Sequence, residues 1–312
     1  MSTSFRDVPA AQGRASAVAA TLFIALLACS ITWPDPVLAI NRAFFNVPLD
    51  VNEVSFLGRE APRWDVVYWW IVGLALIGLV HGRTGRIGES WPCFAADLRG
   101  LGSELWQRCR RPRATSLLAI LIAGSALVAL SYRYFDMAAI AASTGWRSDW
   151  LHDWIRLSNR LGGGANPPMI VLFFVVAGLA LGRRDWWRLG SAMAVAGLVA
   201  GAAAGLMKRA VQRSRPDAWL GHDVFGLKGE TSFPSGHTIG AFALMVVILV
   251  GARSRFLRVA AVVVAISVAA ARVLALRHWP SDVLMSATLG TIVGLFVGAA
   301  IVPSRDDEPE EQ

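Results

Sequence analysis

Long apolar stretches, almost free of Asp, Glu, Lys and Arg, recur along this chain of 312 residues and restrict it to a membrane-spanning fold. A helix needs roughly 20 consecutive apolar residues to cross a bilayer. The stretches predict eight transmembrane helices, near 15–33, 65–82, 115–132, 167–182, 189–207, 238–252, 256–276 and 283–302. The predicted fold class is therefore all-α, a polytopic transmembrane helix bundle.

The predicted spans and motifs divide the chain into three parts. Residues 1–114 hold two spans and a cytoplasmic linker, without a chemical motif. Residues 115–302 form a core of six spans that carries every motif, and residues 303–312 form an acidic tail. The run that ends at Cys29 resembles a lipoprotein cleavage box, but an ordinary first span is the favoured interpretation.

The distribution of arginine predicts the orientation of the spans. Arginine is dense in 108–113, 183–188 and 253–258, so the positive-inside rule places these loops in the cytoplasm. Both termini are then cytoplasmic. The segments on the outer side are 34–64, 133–166, 208–237 and 272–282.

The net charge of +8 is explained by arginine at the cytoplasmic ends of spans, where it meets anionic lipid, and not by nucleic-acid binding. Cys29 falls in the first span, whereas Cys93 and Cys109 fall in a cytoplasmic loop. We therefore expect neither a disulfide nor a cysteine metal site.

The outer segment 133–166 is rich in tryptophan and arginine. Trp150 and Trp154, with Leu151 and Ile155, have helical spacing, which predicts a helix in the plane of the membrane interface.

The first chemical block pairs Lys208 with Arg215 and Pro216. Seven residues are almost two helical turns, so we expect the fifth span to continue and present both cations on one face until Pro216 ends it. The alternative is two cations at the membrane interface that bind no ligand. Lysine at this position favours the first interpretation, because only Lys208 and Lys228 are lysines among 30 basic residues.

The second block, Pro234-Ser235-Gly236-His237, directly precedes the sixth span. Ser235 is a suitable N-cap, and free backbone N–H groups at a helix start bind anions with help from the helix dipole. His237 would stand at the mouth of that anion site. The alternative is an ordinary capped helix with a surface histidine.

The third block consists of Arg272, His278 and Asp282. The apolar run before Arg272 is too short to cross a bilayer, so we expect the helix to continue past Arg272, about one turn below the membrane surface. Pro280 suits the first position of a new helix. Asp282 would then accept a hydrogen bond from one imidazole nitrogen of His278 and leave the other nitrogen free to attack.

The three blocks together resemble the type 2 phosphatidic acid phosphatase superfamily, whose motifs are Lys-x6-Arg-Pro, Pro-Ser-Gly-His and Ser-Arg-x5-His-x3-Asp. The resemblance covers 115–302, and Ala271 replaces the serine of the third motif. The resemblance implies catalytic roles for His278 as nucleophile, His237 as general acid and base, and Asp282 as the group that orients His278. It also implies that the phosphate is bound by Lys208, Arg215, Ser235, Gly236 and Arg272.

No cofactor is expected, because three fixed cations stand where magnesium acts in other phosphoryl transferases. His81, His152 and His222 match no motif and are assigned structural or interfacial roles.

The expected activity is metal-independent hydrolysis of a membrane lipid phosphate or diphosphate, with water as acceptor, at the outer face of a bacterial inner membrane. Phosphatidate, phosphatidylglycerophosphate, undecaprenyl diphosphate and lipid A type substrates all stay open, and so does the oligomeric state. A phosphotransferase that uses the same histidine is the alternative. A transporter is disfavoured, because it would place charges deep within its spans.

Overall fold

The structure, a computed structural model, describes residues 86–109, 114–146, 148–163, 166–218 and 231–301. These residues are almost entirely helical. The helices are α1 (Arg86–Cys109), α2 (Ala114–Leu130), α3 (Asp136–Gly145), α4 (Asp149–Gly162), α5 (Asn166–Leu181), α6 (Arg184–Val211), α7 (Gly236–Gly251), α8 (Arg255–Leu274) and α9 (Pro280–Ile301). A π-helical turn, Ser131–Phe135, joins α2 to α3.

The predicted all-α class is confirmed, since the described residues contain no strand beyond isolated bridge residues such as Ser214, which pairs with Thr231. All six predicted spans of the core coincide with helices. Ala114–Gly145, Arg184–Val211, Arg255–Leu274 and Pro280–Ala299 are long and apolar enough to cross a membrane. Helices α5 and α7 are shorter, with 16 residues each.

Two of the eight predicted spans, 15–33 and 65–82, lie outside the described residues, so the total of eight stays a prediction. Within the predicted interfacial segment, the helical part is confirmed. Helix α4 buries Leu151 and Ser158 and leaves Trp150 exposed to 71%.

The chain separates into two compact units, one formed by residues 1–96 and 164–187 and the other by residues 97–163 and 188–312. In the first unit, Phe94, Leu179 and Trp187 form a buried apolar cluster. The second unit contains all three chemical blocks. The boundaries predicted at residues 114 and 302 stay predictions.

Close packing of α7 against α9 organises the second unit. A β-carbon on Gly290 would lie 2.5 Å from the carbonyl oxygen of Ile239, and one on Gly294 would lie 2.7 Å from that of Ala243. Glycines four residues apart allow two helix backbones to approach this closely. Residues later in α9 contact residues later in α7, so the two helices are parallel and start at the same end of the unit.

Two further helices complete this end of the unit. Helix α8 packs on α7 through Ala265, which forms a buried apolar cluster with Met245 and Val246. Arg272 lies near the C-terminus of α8.

Helix α2 packs on α9, where Gly124 touches Thr288. The chain then enters the π-helical turn and α3, with Asp136 as the first residue of α3.

One prediction about the first chemical block is wrong. Helix α6 ends at Val211 and does not continue through Arg215. Gln212 has a positive φ of 46°, and Ser214 forms the bridge to Thr231. Pro216 disfavours helical backbone at the residue before it, so Arg215 lies on an extended segment and not on the same helix face as Lys208.

Candidate active site

The three chemical blocks meet at the end of the second unit where α7 and α9 begin. Ser235 caps α7, and its backbone N–H donates to Ser286 Oγ of α9 at 2.7 Å. Lys208, near the end of α6, donates to the carbonyl oxygen of Thr231 at 3.2 Å, a few residues before the cap. Residues that are far apart in sequence are therefore brought together by helix termini.

His278 is the buried histidine of this site, exposed to only 2%. Its Nδ1 lies 2.6 Å from the backbone carbonyl oxygen of Ser232. A carbonyl oxygen can only accept, so Nδ1 carries the proton and Nε2 keeps the lone pair. The imidazole is therefore in the tautomer that nucleophilic attack through Nε2 requires.

The hydrogen bond predicted between His278 and Asp282 is replaced by this contact with Ser232. Asp282 Oδ2 lies 3.9 Å from His278 Nδ1, which is ion-pair distance but too long for a hydrogen bond. Asp282 instead accepts a short hydrogen bond from Ser232 Oγ and a bond of 3.0 Å from the backbone N–H of Trp279. The carboxylate thus supports the residue whose carbonyl holds the imidazole.

The pKa of His278 is well below its ordinary value. Burial is the largest cause, followed by the positive charges of Arg272, Arg215 and Lys208, while the bond to Ser232 acts in the opposite direction. A lowered pKa keeps the imidazole neutral at neutral pH, as a nucleophile must be.

Asp282 belongs to a buried ionic network centred on Arg213. Arg213 Nη1 donates to Asp282 Oδ1 at 2.7 Å, and Nη2 donates to Asp136 Oδ2 at 2.7 Å. The side chains of Arg213, Asp136 and Asp282 are each no more than 4% exposed. One guanidinium therefore bridges two carboxylates away from water.

Asp136 connects this network to the start of α9. Its Oδ1 accepts from the Ser281 backbone N–H at 2.9 Å, and its Oδ2 accepts from Ser281 Oγ at 2.5 Å. The guanidinium of Arg213 also lies 4.9 Å from the ring centroid of Trp279 and 5.2 Å from that of Tyr132. The π-helical turn, the segment after α6 and the start of α9 are thus joined by one group of contacts.

The second block forms the rim of the site. The predicted N-cap is confirmed, since Ser235 Oγ accepts from the Thr238 backbone N–H at 3.4 Å. Ser235 is fully buried, Gly236 is exposed, and His237 is half-buried. A β-carbon on Gly236 would meet nothing within 4 Å, so its backbone stands in open space where an anion can approach.

Three cations surround the two imidazoles. The positive charges of Arg272, Lys208 and Arg215 act on both His237 and His278. Arg272 is exposed to 8%. The continuation of helix α8 past Arg272 to Leu274 is confirmed. Such a cluster of fixed positive charge suits an anion with several oxygens.

Helix α4 closes one side of the site. Asn159 Oδ1 accepts from Arg272 Nη1 at 2.9 Å, which anchors the guanidinium. Gly163, just after α4, lies so close to His237 that a β-carbon on it would collide with the imidazole ring. The glycine therefore makes room for the histidine.

Five contributors to this geometry were missed by the sequence analysis: Asp136, Asn159, Gly163, Arg213 and Ser232. Asp136 could have been found from the sequence, because an acidic residue close behind an apolar span is unusual and such residues are often functional.

Of the unassigned histidines, His152 is exposed on α4, while His81 and His222 lie outside the described residues. Within the described residues, no group of three or more His, Cys, Asp and Glu side chains could hold a metal ion.

Residues 185–305 match the protein-family model of the PAP2 superfamily. This segment is less than half of the chain, and it contains every residue of the three motifs. The resemblance inferred from the motifs, that to the type 2 phosphatidic acid phosphatases, is thereby confirmed.

Two curated relatives are similar over a shorter stretch. A lipid A 1-phosphatase from Rhizobium johnstonii is 37% identical over 113 residues, which are 34% of this chain and 44% of the relative. A lipid A 1-phosphatase from Rhizobium etli is also 37% identical over 113 residues, or 46% of its length. The chain thus spans less than half the length of these curated relatives.

A solved structure shares the fold. It is a transmembrane PAP2-type phosphatidylglycerolphosphate phosphatase from Bacillus subtilis, with a TM-score of 0.50 and 22% sequence identity. The similarity covers 62% of this chain and 98% of the other. In the described part of this chain, four helices are long and apolar enough to cross a membrane.

Proposed function

We propose that this chain is an integral membrane lipid phosphatase that releases phosphate from a phosphomonoester or diphosphate of a membrane lipid. The observation that carries the proposal is the meeting of two imidazoles with three cations at one end of the helix bundle. The two Rhizobium relatives, both lipid A 1-phosphatases, support a lipid phosphate as substrate. The arginine distribution supports a site at the outer face of the cytoplasmic membrane.

In the first step, Nε2 of His278 attacks phosphorus, so that a P–N bond forms as the P–O bond to the lipid breaks. Burial and the three cations lower the pKa of His237, and the negative charge of the bound phosphate opposes these cations and favours the protonated imidazole. His237 then donates this proton to the departing lipid oxygen. Lys208, Arg215 and Arg272 neutralise the equatorial oxygens of the transition state, and the backbone N–H of Gly236 adds a donor at the start of α7. The product is a phosphohistidine and a free lipid hydroxyl, or a lipid monophosphate if the substrate is a diphosphate.

In the second step, His237 takes a proton from water, whose oxygen attacks phosphorus and breaks the P–N bond. Inorganic phosphate leaves, and His278 returns to its neutral form. Positive charge on the phosphorylated imidazole is stabilised by Asp282 at 3.9 Å. The bond from Nδ1 to Ser232 keeps the ring oriented in both steps.

The function is tested with the purified full chain in nonionic detergent, without added metal and with a chelator present. The substrates are phosphatidate, phosphatidylglycerophosphate, undecaprenyl diphosphate and lipid A, and the measurement is release of inorganic phosphate. We expect release from at least one of them. Absence of release from all four would overturn the proposal, whereas transfer of phosphate to a second lipid, with none free, would establish the phosphotransferase instead.

The contact between Gly163 and His237 predicts a large effect from one methyl group. In Gly163→Ala, the new β-carbon displaces the imidazole of His237, and a shift of about 1 Å in a catalytic group can cost about 100-fold in rate. We expect kcat to fall by about that factor, with the fold intact.

Gly201→Ala is the matched control, because a β-carbon at Gly201 meets nothing within 4 Å. We expect its kcat to equal that of the unmodified chain. Full kcat in Gly163→Ala would show that His237 is not held at this position during catalysis.

A further inference from the structure

A cavity of about 500 Å³ lies at the same end of the second unit as the candidate active site. It is bordered by the end of α3, the start of α4 and the last residue of α8. Its principal lining side chains are Trp146, Trp150, Leu151, Trp154 and Leu274. Cavities of roughly 300–1,000 Å³ with such apolar walls commonly bind small apolar groups.

The tryptophans that line this cavity are placed as they are in proteins at a membrane interface. Trp146 is 65% exposed and Trp150 is 71% exposed, although both are among the largest apolar side chains. Tryptophan is enriched at the level of lipid headgroups, where its ring contacts hydrocarbon and its N–H contacts water. The cavity is therefore bordered by side chains suited to contact with lipid.

The same two helices connect the cavity to the phosphate-binding cations. Leu274 is two residues beyond Arg272 on α8, or roughly 3 Å along the helix axis. Trp154 is five residues before Asn159 on α4, or roughly 8 Å, and Asn159 binds Arg272 at 2.9 Å. The apolar cavity therefore lies next to the cationic site, and the distance between them is shorter than an extended hydrocarbon chain.

We propose that this cavity binds one hydrocarbon chain of the lipid whose phosphate lies among Lys208, Arg215 and Arg272. The inference rests on the proposed phosphatase function and adds that the enzyme selects long-chain substrates. A lipid phosphate has an anionic headgroup next to an apolar chain. These two parts match a cationic site next to a tryptophan-lined cavity. Occupation by bulk bilayer lipid without a phosphate is the competing outcome.

The test compares three substrates in mixed micelles at fixed surface concentration: long-chain phosphatidate, short-chain phosphatidate and a water-soluble aryl phosphate. In Trp150→Ala, we expect kcat/KM for the long-chain substrate to fall about tenfold through KM, because a large aromatic contact is lost. Activity on the aryl phosphate should not change. Gly145→Leu, which adds a side chain in open space at the cavity, should weaken long-chain preference in the same way.

Phe256→Ala is the matched control, since Phe256 is 73% exposed at the opposite end of α8. We expect all three substrates to be unaffected. If Trp150→Ala lowers activity on the long-chain and aryl substrates equally, or on neither, the inference is wrong although the phosphatase function stands. Absence of phosphate release by the unmodified chain is a failure of the proposed function instead.

Photolabelling provides a readout that does not depend on turnover. A long-chain phosphatidate with a diazirine in its chain should label peptides containing residues 146–154 or 274, and Trp150→Ala should reduce that labelling. A diacylglycerol with the same diazirine should label these peptides much less. Equal labelling by both lipids would identify an ordinary bilayer contact and overturn the inference.

Discussion

Replacing Arg213 with leucine is expected to lower the free energy of unfolding by about 3–5 kcal/mol and to abolish phosphate release. The substitution leaves Asp136 and Asp282 buried without their shared cation, and removal of one partner from a buried ion pair typically costs that much. Phosphate release is lost because Asp282 supports Ser232, whose carbonyl orients His278. Thermal unfolding in detergent and release of inorganic phosphate measure the two effects.

An exposed arginine in the same unit supplies the matched control. Arg277 pairs with Asp217 at 3.0 Å, and these side chains are 47% and 35% exposed. Exposed pairs contribute about 1 kcal/mol or less, so Arg277→Leu should change stability little. Equal destabilisation by Arg213→Leu and Arg277→Leu would show that burial of the ion pair does not determine its contribution to stability.

The conservative variant Arg213→Lys separates positioning from folding. Lysine keeps the charge but cannot bridge two carboxylates with a planar fork. We expect a folded protein with kcat reduced about tenfold or more, because Asp282 and Ser232 shift. KM should not change, because the proposed phosphate-binding cations, Lys208, Arg215 and Arg272, keep their positions. Full kcat in Arg213→Lys would show that the geometry around Asp282 does not limit catalysis.

The helices and the three chemical blocks could be predicted because the relevant properties are local. An apolar run long enough to cross a bilayer is visible without knowledge of its neighbours. Ser235 and Pro280 suit helix starts through their own backbone preferences. Helix α7 begins directly after Ser235, and helix α9 begins at Pro280. The motif spacing of the blocks pointed to one site before any packing was known.

The supporting contacts could not be predicted, since they depend on tertiary packing. Asp136 and Ser281 are 145 positions apart in the chain, and no local pattern pairs them. The group that orients His278 is the backbone carbonyl of Ser232. Every residue has such a carbonyl, so the sequence does not show which one binds the imidazole. The helix expected through Arg215 failed because the bridge between Ser214 and Thr231 competes with helical hydrogen bonds.

Replacing His278 with alanine is expected to remove the phosphoenzyme together with the activity. Loss of a catalytic nucleophile typically lowers kcat by on the order of 10⁴-fold or more. The reaction with a substrate labelled in its phosphate is quenched rapidly and without acid. Labelled phosphohistidine should then be detected in the unmodified chain and not in His278→Ala. The substitution truncates a buried side chain and removes its bond to Ser232, so thermal unfolding is measured to check that the variant is folded.

His237→Ala should behave differently, because in the proposed mechanism His237 transfers protons and does not attack phosphorus. An aryl phosphate has a good leaving group that needs little help from an acid, so this variant should still form phosphohistidine from it. Hydrolysis of the P–N bond lacks its general base and should slow by about 10²–10⁴-fold, which makes the phosphoenzyme accumulate. Accumulation in His237→Ala together with absence in His278→Ala assigns the two histidines separately. A phosphoenzyme that persists in His278→Ala would place the nucleophile elsewhere, and equal behaviour of the two variants would remove the basis for their distinct roles.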